Sequence, residues 1–392
     1  MLDIKDFNLP QDLPKYMEAV KEFRRTYLEE KALEIEELDD LPPDLQPTMK
    51  KAGLLDLRVP KDMGGLGLSF SQYWPILVEA GLPHGTIRQN VHGFNTLWTM
   101  IYHHGTEEQK KKWFPIIWGQ GKGYATFALT EPGTGTGVDI KTTARREGDY
   151  YIINGTKHLM TFANITPVFH VVCYTGDRSL KEKGTSMILV EADNPGVTID
   201  PHGPMMSIKG CYHGIVHFKD AKVPVTNILG KEGEGLDIAL RTFLDQSRLS
   251  IAASCICIGE RMLDKAAEYA LGRMTFGKPI GDRQAIQMMI AEMAVPVYAQ
   301  KLMVADCAAR YDRGEPIVYE ASMSKLAGIE MIRNVTDLGM NVFGGLSIVN
   351  QTGIERTYRD GRALWFEEGA PTIQKTVIAR HVLGKKVRSV GE

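Results

Sequence analysis

The spacing of apolar residues changes period twice along this 392-residue chain, and those two changes restrict the fold more than any other feature. Up to about residue 120, apolar side chains recur every three or four positions, the repeat of one helical face. Leu13, Met17, Val20, Phe23 and Leu28 fall at this spacing between charged residues. Pro42 and Pro43 end that helix, and residues 45–51 begin another. Gly64, Gly65 and Gly67 form a turn cluster, after which helical spacing resumes over 70–81 and 91–104. Thr106 followed by Glu107 and Glu108 supplies a capping hydroxyl and an acidic first turn, so another helix starts there. From about residue 121 the period drops to two. Alternating stretches at 124–129, 142–147, 150–154, 168–174, 185–190 and 215–223 predict strands, with turn signals at Gly148-Asp149, Asn154-Gly155 and Asn194-Pro195-Gly196. Beyond the glycine-rich stretch at 230–235, helical spacing returns over 236–243, 249–272, 285–313 and 319–343. The expected architecture is α+β: an N-terminal helical domain (1–120), a middle antiparallel β-domain (121–230) and a C-terminal helical bundle (231–392), without internal repeats.

Composition narrows the function classes. Forty-six Lys and Arg against 48 Asp and Glu leave a net charge of −2, which gives no electrostatic footprint for nucleic acid. The five cysteines are scattered and contain no C-x-x-C pair, which argues against a disulfide framework or a zinc site and suits a reducing compartment. No apolar run reaches membrane-spanning length, and the acidic start Met1 to Asp6 matches neither a signal peptide nor an arginine-rich transit segment. The expectation is a cytoplasmic, prokaryotic protein with no metal, no membrane and no nucleic acid.

Two stretches carry candidate chemistry. The segment Leu129 to Thr136 (L-T-E-P-G-T-G-T) closes a strand with a loop in which Gly133, Gly135 and Gly137 leave backbone N–H groups accessible. Thr130 and Thr136 add hydroxyls, a donor set that suits a flat cofactor with polar edges. No crossover helix follows, so this is not a dinucleotide-binding G-x-G-x-x-G turn. The second stretch, Trp365 to Gln374, sets Glu367 and Glu368 directly before Gly369 and before Pro371, which pre-sets the first turn of a further helix. A carboxylate at such a junction is placed like a general base; taken alone, the stretch favours the plainer reading of two solvated glutamates in a loop, and the other segments reverse that.

Residues 124–136 (Y-A-T-F-A-L-T-E-P-G-T-G-T) closely resemble the flavin loop of the acyl-CoA dehydrogenase family. Asn154 to Lys157 followed by Thr161, Asp245-Gln-Ser-Arg248, Arg273-Met-Thr-Phe-Gly277 with Gln284, Phe343-Gly-Gly345, Arg359-Asp360 and Glu368-Gly369 resemble further segments of that family, in family order over roughly residues 45–385. The resemblance implies FAD held between the β-domain and the C-terminal bundle of a homotetramer, with a neighbouring subunit completing each site. Leu129 and Thr130 would bond the polar edge of the flavin and Thr161 would lie at its N5 side. Phe127, Gly135, Thr136, Leu159, Ala370 and Thr372 would complete the cofactor contacts. Arg273, Phe276 and Gln284 would hold the pyrophosphate and adenosine end of FAD in another subunit, with Asn341, Gly344 and Gly345 against the same end. Thr136, Asp245, Arg248 and Gly369 would line the channel for the CoA thioester. Glu368 would remove the α-proton while its backbone N–H and an FAD ribose hydroxyl hold the thioester carbonyl; the β-hydride would go to flavin N5 and the electrons to electron-transfer flavoprotein.

Several positions depart from the family pattern. Glu367 stands where a tyrosine is usual, and two adjacent acids repel, so one of them is expected to hold its proton more tightly. Neighbouring side chains point different ways, which favours Glu368 as the base. Phe127, Gly137, Leu159, Ala370 and Ser347 also differ from the common residues, with expected effects on flavin potential and substrate shape. His92 and Asn95 fall near the expected acyl pocket and imply a polar, branched or cyclic acyl group; a satisfied core histidine is the competing reading of His92. Two alternatives keep the fold: an enoyl-CoA reductase or oxygen-using oxidase, and a non-catalytic binding protein.

Overall fold

A computed structural model describes residues 1–119, 124–135 and 137–384. In the first region, α1 (Leu13–Phe23) and α2 (Glu29–Leu38) are joined by a wider turn at Arg24–Leu28 and bury Val20, Phe23, Leu28, Ala32 and Ile35. Tyr16, not Met17, sits at the centre of this stripe, because its hydroxyl donates to Ala52 O at 2.8 Å from a fully buried position. Then follow α3 (Leu45–Lys51), α4 (Phe70–Gly81), α5 (Gly85–Phe94), α6 (Trp98–His104) and α7 (Glu107–Phe114). Ser69 and Thr106 cap α4 and α7 reciprocally with Gln72 and Gln109. The single helix expected over 91–104 is instead two, broken after Phe94. The cause is Asn95, whose side chain accepts from Arg58 N at 2.9 Å and donates to Leu54 O and Val91 O at 2.9 and 2.8 Å.

The middle region is one sheet built from β1 (Ala125–Ala128), β2 (Thr143–Glu147), β3 (Tyr150–Thr161), β4 (Val168–Tyr174), β5 (Thr185–Glu191), β6 (Val197–Pro201), β7 (His213–Pro224) and β8 (Ile228–Leu229). The order is β6-β7-β3-β2-β4-β5-β8, with β1 on β4. It is mixed, not purely antiparallel: β1 and β2 both run parallel to β4, and the other pairs are antiparallel. Asn154-Gly155, expected as a turn, lies inside β3, where the register with β7 shifts. A Cβ at Gly155 would overlap Thr142, so glycine permits the close strand approach that a turn was expected to explain. Within this sheet Lys157 and Glu131 form a buried pair at 2.7 Å, and Lys157 also donates to Leu129 O and Val172 O. Glu131 in turn accepts from the N–H and hydroxyl of Thr142. The pair ties the end of β1 to the body of the sheet.

The last region contains α8 (Gly235–Asp237), a wide turn at Ile238–Leu244, α9 (Asp245–Gly272), a small hairpin of β9 (Met274–Thr275) and β10 (Lys278–Pro279), α10 (Gln284–Asp312), α11 (Val318–Phe343), α12 (Ile354–Phe366) and α13 (Pro371–Val382). By length and composition α10 is apolar enough to cross a membrane, which the sequence reading did not anticipate. In the fold one side of it packs into the bundle core through Met293, Val297 and Val304, and Met288, Val295, Tyr298 and Leu302 face outward. Asp360 in α12 joins all three regions, accepting from Gly85 N and Ile208 N at 2.8 Å each. All five cysteines are buried and unpaired.

Lys157→Met leaves the Glu131 carboxylate buried without its cation and is expected to cost about 3–5 kcal/mol. Urea unfolding followed by circular dichroism measures it; a loss below about 1 kcal/mol would place the pair among weak surface contacts instead.

Candidate active site

A cavity of about 630 Å³ opens between the sheet, α5 and the corner where α12 turns into α13. The sheet side of the cavity carries Phe127, Leu129 and Thr130 from the end of β1, Leu159 and Thr161 from β3, and His213 from β7. Leu159 holds a left-handed backbone, φ +58°, at the second register shift of β3, which turns its side chain to the cavity with 40% of its surface exposed. In the glycine loop Gly135 N donates to Asp139, and Thr134 Oγ1 is buried with no hydrogen-bond partner among the described residues. An orphaned hydroxyl beside accessible backbone is what a loop shaped around a polar ligand leaves behind. Thr136 lies outside the described residues. His213 donates from Nδ1 to Cys211 O at 2.7 Å, and its Nε2 lies 3.4 Å from Thr161 Oγ1.

The opposite wall is the acidic corner. After α12 ends, Glu368 and Gly369 both take positive φ, +54° and +101°, before Pro371 starts α13. This reversal sends the two carboxylates apart. Glu367 meets the buried Arg88 of α5 in a two-pronged pair, both contacts 2.8 Å. Glu368 faces α9, where Ser247 Oγ donates to its Oε1 at 2.9 Å, and His92 Nε2 stands 3.9 Å from the same oxygen. The main-chain carbonyls of the corner are all engaged. Lys325 of α11 donates to those of Glu367 and Gly369, Arg248 Nε donates to that of Glu368 at 3.3 Å, and Gln374 donates to those of Glu368 and Gly369. Among the described residues nothing accepts from the Glu368 N–H. The repulsion expected between Glu367 and Glu368 is therefore not what governs Glu367. Burial pushes its carboxyl upward, but the Arg88 guanidinium outweighs this and holds it below the usual carboxylate range.

The structure gathers some of the sequence-expected residues and separates others. Phe127, Leu129, Thr130, Leu159, Thr161, His92, Arg248, Glu368, Gly369 and Ala370 line this one cavity. Asp245 lies behind it, bonded to Arg248 at 3.1 Å, and burial raises its carboxyl to about 6 against the pull of that arginine. Asn95 does not face the cavity; its side chain is spent on the helix break already described, so its expected substrate role is corrected to a structural one. Thr372 is exposed on the first turn of α13. Arg273, Phe276, Gln284, Asn341, Gly344 and Gly345 lie on the outside of the bundle, with Phe276 97% exposed at φ +49°. Residues that the motifs did not single out are Arg88, Gln89, Tyr124, Ser247 and Lys325. Gln89 Nε2 donates to the Tyr124 hydroxyl at 3.2 Å, and a Cβ at Gly93 would overlap that hydroxyl. Lys325 lies as a cation within the helical run over 319–343, a position that requires a partner when buried, whereas Arg88 falls between the runs read from the sequence and carried no such signal.

Each of the three regions matches a domain model of one family. Residues 11–119 match the family model "Acyl-CoA dehydrogenase, N-terminal domain", 126–221 the middle domain and 233–383 the C-terminal domain. Human mitochondrial short-chain specific acyl-CoA dehydrogenase is 33% identical over 96% of this chain and 91% of its own length. The subunit CarC of the caffeyl-CoA reductase-Etf complex of Acetobacterium woodii is 34% identical over 90% and 93%. The crystal structure of an acyl-CoA dehydrogenase from Geobacillus kaustophilus superposes with a TM-score of 0.90 at 30% identity, covering 95% of this chain and 98% of that one.

The Arg88–Glu367 pair yields a pH prediction. The folded pKa of Glu367 lies below its unfolded value, so the pair stabilises the fold above the ordinary glutamate range, and this stability is lost as pH falls through the folded value. Glu367→Gln is expected to cost about 3 kcal/mol at neutral pH by stranding Arg88, with the gap to the parent narrowing on acidification. Urea unfolding at about pH 7 and about pH 4 tests this, and a gap that stays constant contradicts it.

Proposed function

The chain belongs to the acyl-CoA dehydrogenase family of oxidoreductases, and we propose that it catalyses FAD-dependent α,β-dehydrogenation of an acyl-CoA thioester with Glu368 as the base. The observation that carries this reading is Glu368, which lines the same cavity as Thr130 and Thr161 and has its carboxylate fixed by the Ser247 hydroxyl. The residues present suit FAD: the buried Thr134 hydroxyl, without a partner among the described residues, and the exposed Gly133 and Gly135 of the glycine loop offer hydrogen bonds to a polar ring edge. Phe127, Leu129, Thr130, Gly135, Leu159, Thr161 and Ala370 would hold the flavin end, with Thr136 and Thr372 beside them. When bound, FAD supplies the acceptor for the β-hydride.

This chain's own residues supply the acid–base part. The Glu368 carboxylate takes the α-proton, and its N–H, unengaged among the described residues, offers a donor to the thioester carbonyl, where charge builds up as the proton leaves. Lys325, Arg248 and Gln374 hold the backbone of the corner, so this donor and this base keep a fixed relation. Asp245 and Arg248 would line the entry of the CoA thioester. The Gln89–Tyr124 bond and the Arg88–Glu367 pair put polar groups against the inner cavity, which favours a short or polar acyl group over a long plain chain.

The outer residues fit a homotetramer in which Arg273, Phe276, Gln284, Asn341, Gly344 and Gly345 reach FAD in another subunit. The exposed Phe276 and the outward apolar face of α10 support that arrangement. Electron-transfer flavoprotein is the proposed electron acceptor. The relative named as part of a caffeyl-CoA reductase-Etf complex also supports a second direction, reduction of an enoyl-CoA on the same site. Air reoxidation of the reduced protein measured against reoxidation by electron-transfer flavoprotein separates oxidase from dehydrogenase use.

Two outcomes test the reading. Glu368→Gln is expected to remain yellow yet bleach its flavin with acyl-CoA some 10²–10⁴-fold more slowly; undiminished bleaching would remove Glu368 from the mechanism. Phe276→Ala is expected to lower flavin content and shift the protein to smaller species on sizing chromatography while leaving the protomer folded, because a side chain 97% exposed adds little to the protomer's own core.

A further inference from the structure

The Glu368 carboxylate is surrounded by cations that do not touch it. Arg248 from α9 and Lys325 from α11 direct their donors to main-chain carbonyls of the corner, and the Glu367 charge is taken up by Arg88. Its one hydrogen bond among the described residues comes from a neutral group, Ser247 Oγ, at 2.9 Å to Oε1. Ser247 Oγ lies 3.3 Å from His92 Nε2, His92 Nδ1 lies 2.9 Å from Ser250 Oγ, and Ser250 Oγ lies 3.2 Å from the Tyr73 hydroxyl. Tyr73, His92, Ser247 and Ser250 are all buried.

The hydrogens along this chain can be assigned by counting. Tyr73 is fully buried and Ser250 is its one hydrogen-bond partner among the described residues, so its hydrogen points to Ser250 Oγ. Burial pushes the Tyr73 phenol upward, so this end of the chain keeps its proton. Ser250 then has its own hydrogen left for His92 Nδ1, which must be the unprotonated nitrogen. The ring hydrogen sits on Nε2 and points to Ser247 Oγ, and the Ser247 hydrogen is left for Glu368. Every hydrogen in the row is aimed at the carboxylate.

We propose that His92, acting through Ser247, is a positioning residue for Glu368, held in its Nε2–H form by the Tyr73–Ser250 end of the row. The inference rests on Glu368 being the base and adds how that base is aimed. The row occupies Oε1 and leaves Oε2 as the oxygen for the incoming α-proton. A neutral donor suits this task better than Arg248 or Lys325 would. A cation bonded to the carboxylate would hold it in its charged form and weaken it as a base, whereas a hydroxyl fixes its direction at smaller cost to its basicity. The groups that face Glu368 are thus Ser247 and Arg248 from α9, His92 from α5 and Lys325 from α11, with the Tyr124 hydroxyl on the cavity wall.

Two measurements test the proposal. In FAD-loaded protein labelled with 15N-histidine, the signal that disappears in His92→Gln should show a protonated Nε2 and an unprotonated Nδ1; the opposite tautomer or a doubly protonated ring overturns the assignment. Independently, anaerobic stopped-flow bleaching with butyryl-, isobutyryl- and glutaryl-CoA reads the aim of the base. Ser247→Ala and His92→Phe should lower the limiting rate roughly 10- to 100-fold, the scale of one hydrogen bond to a charged group, with the half-saturating concentration nearly unchanged. Ser247→Thr and His92→Gln keep a donor in place and should recover most of the rate. If His92→Gln is as slow as His92→Phe, the role is packing and the proposal falls. If Glu368→Gln is slow but Ser247→Ala runs at the parent rate, the base stands and only the positioning row fails. Full-rate bleaching by Glu368→Gln instead removes the base itself, and bleaching by none of the three thioesters counts against the proposed function while the tautomer is still decided by the labelled histidine.

Discussion

Lys325 is fully buried in α11, and burial lowers its ammonium to about 8 against the attraction of nearby Glu368. A lysine placed there needs partners, and it finds them in the carbonyl oxygens of Glu367 and Gly369. The positive φ at residues 368 and 369 is what turns those two carbonyls toward one donor. If the clamp is lost, the corner has no reason to keep its reversed backbone, and the divergence of the two glutamates goes with it. The geometry of the corner is set by main-chain carbonyls, with the Glu368 side chain placed as a consequence.

Around that corner, cost and specificity are balanced pair by pair. Arg88 with Glu367 and Lys157 with Glu131 are largely removed from water and join segments distant in sequence, whereas Asp245 with Arg248 is a buried pair within α9. Buried pairs add little net stability compared with apolar replacements, but breaking one is expensive. Their value is in register: α5 cannot slide along the C-terminal corner without uncoupling Arg88. Asp360 has the same effect through two backbone N–H groups, one from α5 and one from the segment before β7.

The overall plan was legible because apolar spacing reports burial, and burial follows the period of each element. Helix, sheet and helix were therefore readable in order, as was the glycine loop beside the acidic corner. What escaped the reading is what spacing does not encode. Asn95 breaks the helix expected over 91–104 because its amide finds three backbone partners, two of them from a segment distant in the chain and one at Val91 of α5. Asn154-Gly155 carries a turn signature, yet it pairs within β3, where Thr142 packs so closely that only glycine fits. The parallel pairing of β1 and β2 with β4 is set by chain crossings that alternation cannot report. Glu367 looked like a repelling neighbour because its partner, Arg88, lies 279 positions away. Ser247 lay inside the Asp245–Arg248 segment, but which of its residues meets Glu368 is not legible until the acceptor is in place.

The left-handed backbone at Glu368 has a consequence for engineering. A residue with a Cβ pays of order 1 kcal/mol to sit there, and glycine or asparagine would sit there with less strain. A selection for thermal stability alone would therefore favour replacing the very carboxylate on which the site is centred. Improved variants of this protein found by melting temperature should be sequenced at position 368 before anything else is concluded from them.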